Sequence, residues 1–239
     1  MRTANIILAI SAALILNGCN FNLNTGERGN GNVVTEERSV SEDFTEVKAS
    51  AGMDVFLTEG NENKIVVEAD ENLLPLIKTE VKDGKLTITT SGNIGFYKSK
   101  KVYVTYKELN DITASSGAEI VGNSVIRSER LSLQSSSGAE IKVEVFSKEL
   151  SAKTSSGADI EVSGKASSFN AQASSGSELD AAKLQTINCI AKASSGANIS
   201  VNVKENLETN VSSGADINYY GNPVSVNSNR SSSGSVRKK

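Results

Sequence analysis

The chain has no histidine and no tryptophan, only two cysteines and two prolines, and aromatic residues fill just 5% of its 239 positions. Each scarcity removes a class of chemistry. Without histidine there is no Ser-His-Asp or Cys-His catalysis, no His-ligated zinc, and no side chain whose ordinary pKa lies near neutrality. Two cysteines cannot build a four-cysteine metal site or a disulfide-dense scaffold. The 25 basic and 28 acidic residues give a formal charge of −3, without the basic excess that nucleic-acid binding requires. Serine is plentiful instead: 35 residues, of which 29 lie from Ser115 onward. That skew, not the average, carries the information.

The N-terminus reads as an address. A short basic start, Met1 to Asn5, precedes an apolar run from Ile6 to Leu16, too short for an ordinary membrane span but right for a signal-peptide core. Leu16-Asn17-Gly18-Cys19 follows, and a small residue before a cysteine at this place resembles the bacterial lipobox. The resemblance implies cleavage before Cys19 and a diacylglycerol on its sulfur; a plain secretory signal with an incidental cysteine is the alternative. Asn20 to Asn32, rich in Asn and Gly without periodicity, suits a flexible tether.

Ser-Ser-Gly recurs with its glycine at 117, 138, 157, 176, 196, 214 and 234, at spacings of 18 to 21 residues. A period near twenty is too short for two-helix repeats and fits one turn of a β-solenoid or a leucine-rich repeat. The apolar spacing decides between them. Three residues after the glycine stand Ile120, Ile141, Ile160, Leu179, Ile199 and Ile217; seven before it stand Leu131, Leu150, Phe169, Cys189 and Leu207, with Leu109 one place further out in the first copy. Stretches such as Ile141-Lys142-Val143-Glu144-Val145 alternate with period two, and no copy has a helical pattern or a Leu-x-x-Leu-x-Leu frame. The expected fold is all-β: a single-stranded parallel β-helix of about 20 residues per coil, with coils stacked roughly 4.8 Å apart. In it the glycine marks a corner, the small residue after it fits a crowded turn, and the paired serines form ladders whose hydroxyls bond each other and the turn backbone. Cys189, in a column of Leu and Phe, reads as a buried hydrophobe and not a nucleophile.

A catalytic serine is needed once, beside a base and in a pocket, so seven Ser-Ser-Gly units are lattice, not active sites. The following column, Glu119, Glu140, Asp159, Glu178, Asn198 and Asp216, is the candidate ligand face. Stacked carboxylates can hold calcium, but the Gly-Gly-x-Gly-x-Asp pattern of calcium-loaded β-rolls is absent; a solvated negative face is the alternative. Polysaccharide hydrolysis needs two carboxylates facing one groove, and neither an Asp-Asp pair nor a cluster among the seven arginines points to one. No catalytic residue, cofactor or metal is therefore expected.

Residues 33 to 110 are more charged. Phe44 to Lys48, Met53 to Leu57, Lys64 to Glu68, Lys85 to Thr89 and Lys101 to Tyr106 read as strands, and Lys82-Asp83-Gly84-Lys85 as a hairpin. Ser50-Ala51-Gly52-Met53-Asp54-Val55 is a weak echo of the repeat. The expected division is a signal peptide at 1–18, a tether at 19–39, a solenoid at 40–229 (irregular over 40–110, regular over 111–229) and a basic tail at 230–239.

Gly52-Met53-Asp54-Val55-Phe56-Leu57, Lys64-Ile65-Val66-Val67-Glu68-Ala69 and Asp83-Gly84-Lys85-Leu86-Thr87-Ile88, followed by the Ser-Ser-Gly-Ala repeats, resemble the putative auto-transporter adhesin family with a head GIN domain, over roughly residues 40 to 220. The resemblance implies a secreted or lipid-anchored β-helical protein of the bacterial envelope, at the outer membrane or cell surface, assigned to adhesion, with no catalytic residues to carry over. The expected partners are the membrane, through Cys19, and a glycan or envelope protein; nucleic acid is not expected, and the sequence is silent on oligomeric state. A carbohydrate-active β-helix enzyme is the rival expectation.

Overall fold

The structure, a computed structural model, describes residues 26–231 and 233–239; Cys19 and the signal segment lie outside them. The first part carries β1 (Val33–Arg38), β2 (Glu46–Ala49), β3 (Asp54–Glu59), β4 (Lys64–Asp70), β5 (Ile77–Lys82), β6 (Lys85–Thr90) and β7 (Lys100–Tyr106). Then come β8 (Asp111–Ser115), β9 (Glu119–Gly122), β10 (Ile126–Ser136) and the long strands β11 (Glu140–Ser155), β12 (Asp159–Ser174), β13 (Glu178–Ala193) and β14 (Asn198–Val211). The last three are β15 (Asp216–Tyr220), β16 (Ser225–Arg230) and β17 (Ser235–Lys238). They wind into a β-solenoid of about 7 turns, roughly 19 residues apart, with a less regular N-terminal part.

The repeat works through its turn. The second serine of Ser-Ser-Gly has φ between 52° and 57° in the six copies from Ser116 to Ser213, and the glycine after it between 65° and 71°. Two consecutive left-handed residues make a tight mirror-image turn, closed where Ala158 N–H donates to the Ser155 carbonyl at 3.3 Å. A Cβ on Gly157 would meet nothing within 4 Å, so the glycine is there for its φ and not for a close approach. Coils are joined through the same turn: Gly117, Gly138, Gly157, Gly176 and Gly196 each donate their N–H to the second-serine carbonyl of the next coil at 3.0–3.2 Å. The main chain, not the hydroxyls, thus carries this ladder. Among the described residues no hydrogen bond links the Ser-Ser hydroxyls of neighbouring copies, because the left-handed turn aims the second serine into solvent.

Both apolar columns point inward. Ile120, Ile141, Ile160, Leu179, Ile199 and Ile217 are at most 1% exposed, and the column seven places before the glycine, Leu131, Leu150, Phe169, Cys189 and Leu207, is buried alongside them. Each such side chain contributes a gross ~1.5–3 kcal/mol of burial before its entropy is subtracted. The uneven glycine spacing is absorbed on one side of the coil: the register of β12, β13 and β14 slips between Glu161 and Gly164, Ala181 and Gln185, and Thr186 and Asn188, and is regular elsewhere. Bulges of this kind take up an extra residue without disturbing the stacked turns.

In the head, stacking order departs from chain order. β2 lies between β6 and β8, and β3 between β7 and β9, all parallel, so the first coil made is flanked on both sides by later ones. The antiparallel strands β4 and β5 then close the end, β4 on β7 and β5 on β6 through the Asp83-Gly84 hairpin. β5 is the first arm of the expected Lys82-Asp83-Gly84-Lys85 hairpin, whereas β1 departs from the sequence expectation. β1 falls inside residues 19–39, expected as tether, yet it pairs antiparallel with β4 from Val33–Asp70 to Arg38–Ile65.

Asp70 explains why that segment is held. Its fully buried side chain accepts main-chain N–H from Gly31, Lys98 and Ser99, tying the N-terminal segment to the loop before β7. Gly29 runs so close that a Cβ would stand 2.5 Å from the carboxylate. At the other end, expected as a basic tail from residue 230, β17 adds a further rung on β15. Some inward columns there turn polar, Thr209 being followed by Ser228, Val211 by Arg230 and Tyr219 by Lys238, while Val226 follows Leu207 and Val236 follows Ile217. Inward polar and charged residues on a short edge strand discourage further pairing.

Burial of Asp70 favours its neutral form, but the N–H donors of Ser99, Lys98 and Gly31 outweigh this and hold its carboxyl below the usual range. A depressed folded pKa means stability that is present above the unfolded value and lost as pH falls through the carboxylate range. Asp70→Asn should therefore be less stable than wild type at neutral pH, with the gap narrowing in acid. Urea unfolding across the carboxylate range checks this; a pH-independent gap would contradict it.

Candidate functional site

Strand alternation and a corner near Ser147–Glu149, where the Ser147 hydroxyl donates to the Glu149 carbonyl at 2.9 Å, give each long coil two outward faces. On the first face the six residues of the predicted column stand in one register row: Glu119 beside Glu140, then Asp159, Glu178, Asn198 and Asp216. Asp54 extends the row beyond Glu119. It sits in the echo Gly52-Met53-Asp54-Val55, which carried the signal needed to include it.

The row is spread along the solenoid and does not converge. Among the described residues no group of three or more His, Cys, Asp or Glu side chains is placed to hold a metal ion. Cations in neighbouring positions moderate the charge: Lys142 lies 2.7 Å and Lys183 3.3 Å from Glu161, and Arg237 lies 3.6 Å from Asp216. Glu119 is where repulsion tells, since burial first, then Glu140 and Asp54, raise its carboxyl pKa against the opposing pull of Lys142.

The second face holds the larger feature. A groove of about 910 Å³ runs along the solenoid axis just past the corner, from β10 to β16. Ser168, Asn188 and Asn206 stand on one wall, and Ser132, Ser151 and Asn170 on the other. The floor is the inward column, Leu150, Phe169, Cys189 and Leu207. Asn206 donates its side-chain N–H to Asn188 Oδ1 at 2.7 Å, the start of an amide ladder between rungs. Arg130, 3.1 Å from Glu149, marks one end, and Glu208 lies toward the other. The sequence holds a signal for this site: in three successive copies an asparagine flanks the inward column, Asn170 just after it and Asn188 and Asn206 just before it.

Cys189 is 2% exposed in that floor, and burial pushes its thiol up to about 12, so it stays protonated at neutral pH. It packs as the hydrophobe its column implies.

The sequence profile described as putative auto-transporter adhesin, head GIN domain, matches residues 43–223. Among solved structures the fold is similar to a putative adhesin from Bacteroides fragilis, with a TM-score of 0.84 and 17% identity over 89% of this chain and 100% of that one. A putative adhesin from Parabacteroides merdae aligns with a TM-score of 0.72 and 22% identity, over 89% and 98%. A putative lipid binding protein from Parabacteroides distasonis aligns at 0.65 and 21%, over 89% and 99%. At these identities the likeness is one of fold. No curated protein matches the sequence.

A carboxyl whose folded pKa is raised contributes stability while protonated and loses it as pH rises through that pKa. Glu119→Gln should accordingly unfold at higher urea than wild type at neutral pH, with the advantage gone in acid. Equal midpoints at both ends would show that the row's repulsion is fully screened.

Proposed function

Because the chain belongs to the putative auto-transporter adhesin, head GIN domain family, we propose that it is a lipid-anchored, non-enzymatic solenoid of the cell envelope that holds a linear, uncharged glycan along the groove of its second face. The observation that carries this is the groove itself: an open channel of about 910 Å³ that crosses successive rungs and presents hydroxyl and amide groups at each. Rungs recur at roughly 4.8 Å, so a polymer laid along the axis meets at least one hydroxyl or amide at every step. Each neutral hydrogen bond contributes only about 0.5–1.5 kcal/mol net, and attachment then depends on their number. The first face, with its row of carboxylates, disfavours an anionic chain, whereas the middle of the groove, at Ser168, Asn170 and Asn188, presents uncharged side chains.

The same groove argues against a hydrolase. Its two carboxylates, Glu149 and Glu208, stand on β11 and β14, three rungs apart. That is about 14 Å at the ordinary strand spacing, beyond the roughly 5–9.5 Å at which paired carboxylates cleave glycosides. Glu149 is also held by Arg130. Anchoring rests on Leu16-Asn17-Gly18-Cys19; among the described residues no helix is long and apolar enough to cross a membrane.

Binding of the chain to a panel of neutral and charged glycans and peptidoglycan fragments tests the groove. A neutral polymer should bind, and Asn170→Ala, Asn188→Ala and Asn206→Ala should each weaken it by roughly 2- to 12-fold, while Asp159→Asn on the first face leaves it unchanged. Retention of no glycan above control refutes the proposal, and release of shortened products supports the enzyme instead. Separately, Cys19→Ala should abolish incorporation of labelled palmitate; unchanged labelling refutes lipidation at that residue.

A further inference from the structure

Phe146 occupies an outward position of β11 and is 60% exposed, in a chain that buries most of its large apolar residues. Across the ladder it lies between Arg127 and Lys165. It stands between two hollows at the corner, one of about 900 Å³ that also touches Arg127 and Lys148, the other of about 520 Å³ that also touches Lys165, Ile187 and Lys204. Ile187 is 39% exposed at the corner two coils along. The corner thus carries protruding apolar side chains beside cations: the first hollow also holds Glu108, Glu129 and Glu149, whereas the second is lined by Lys165 and Lys204 with no carboxylate, on a protein whose formal charge is −3.

The cations are not all spoken for. Arg127 and Lys148 are paired with Glu59 and Glu129 at 3.1 and 2.6 Å, whereas Lys165 and Lys204 enter no ion pair among the described residues. Exposed lysines beside an aromatic ring and an aliphatic side chain are the composition of an interfacial membrane contact: the apolar groups enter the headgroup boundary and the ammonium groups meet lipid phosphates. Seen along one face, six strand steps separate β1 from β12 through β4, β7, β3, β9 and β11, about 29 Å at the ordinary spacing. A contact at that distance from the N-terminal end would lay the solenoid along a surface.

We propose that the Phe146–Ile187 corner is a membrane-contact ridge that docks on an anionic bilayer surface, with Lys165 and Lys204 supplying the charge complement. The ridge stands on its own residues and does not depend on the glycan groove, so either can fail without the other.

The chain's lack of tryptophan supplies the reporter. Phe146→Trp, made in the chain from residue 26 onward, which holds all seventeen strands and the described core and has no lipid anchor, places a single indole at the ridge. With vesicles containing phosphatidylglycerol its emission should shift to the blue, and raised salt should reverse the shift. Lys165→Gln with Lys204→Gln in the same background should lower partitioning by about 30-fold, and Ile187→Ser should lower it further. Circular dichroism identifies any variant that fails to fold, and the unsubstituted chain is followed by vesicle co-sedimentation. Unchanged emission at saturating phosphatidylglycerol overturns the proposal, as does an equal shift with pure phosphatidylcholine. A shift with soluble fatty acid but not with vesicles assigns the corner to a single amphiphile, and a concentration-dependent shift without lipid assigns it to self-association; either result also overturns it.

Discussion

The in-register parallel ladder is what everything else in this molecule depends on. Once Gly157 N–H donates to the Ser175 carbonyl, and the equivalent bond forms at each coil, position within the repeat fixes position in space. Side chains stop acting singly and act as columns. The ladder passes through a turn that demands two successive left-handed residues, and the sequence meets that demand at every regular coil with serine then glycine. For the serine this is conformationally unfavourable, by about 1–2 kcal/mol per residue. The cost is tolerable because it accompanies the burial of the small residue and the Ile or Leu that follow, as at Ala158 and Ile160.

A stack of identical rungs has two ends, and their solutions differ. At the head, antiparallel strands replace parallel ones, and β1 is fastened by a buried carboxylate that takes three main-chain N–H bonds. At the last rung, Ser228, Arg230 and Lys238 occupy register positions that hold apolar or shielded residues further in. The head also breaks the sequential order: the coil of β2 and β3 has both its neighbours later in the chain, β6 and β7 on one side, β8 and β9 on the other. That coil cannot complete its ladder until residue 122 is in place. The regular part has no such dependence, since each coil rests on the one before it.

This difference explains what was legible in the sequence. Ile120, Ile141 and Ile160 recur at a fixed distance from glycine because the same physical position recurs, so the coil, its inward columns and the acidic row could be read directly. The head could be read this way only in part: the Asp83-Gly84 hairpin shows locally, but β1 pairs antiparallel with a partner found only once. Val33 to Arg38 alternates poorly, and its placement depends on Asp70, thirty-odd residues downstream. The groove was hidden for another reason. Its walls are the positions on either side of the buried Leu150–Phe169–Cys189–Leu207 column, where residue type changes from copy to copy while the buried column stays apolar. The asparagines at 170, 188 and 206 stood beside that column in three successive copies.

Columns also make the two faces chemically independent. A substitution in one coil changes one step of one face and leaves the opposite face untouched, because the core between them is set by a different set of positions. The first face carries its carboxylates, Asp54 through Asp216, at little cost, since exposed charges about one strand spacing apart repel weakly in water. The second sets hydroxyls and amides among a few charged and apolar side chains, Arg130, Glu149, Ile190 and Glu208, and in Asn188 and Asn206 the amides bond each other between rungs. Hydroxyl and amide side chains that are organised by the ladder, recur along a continuous groove and yet remain open to solvent fit a surface suited to contact along its length better than one suited to solubility alone.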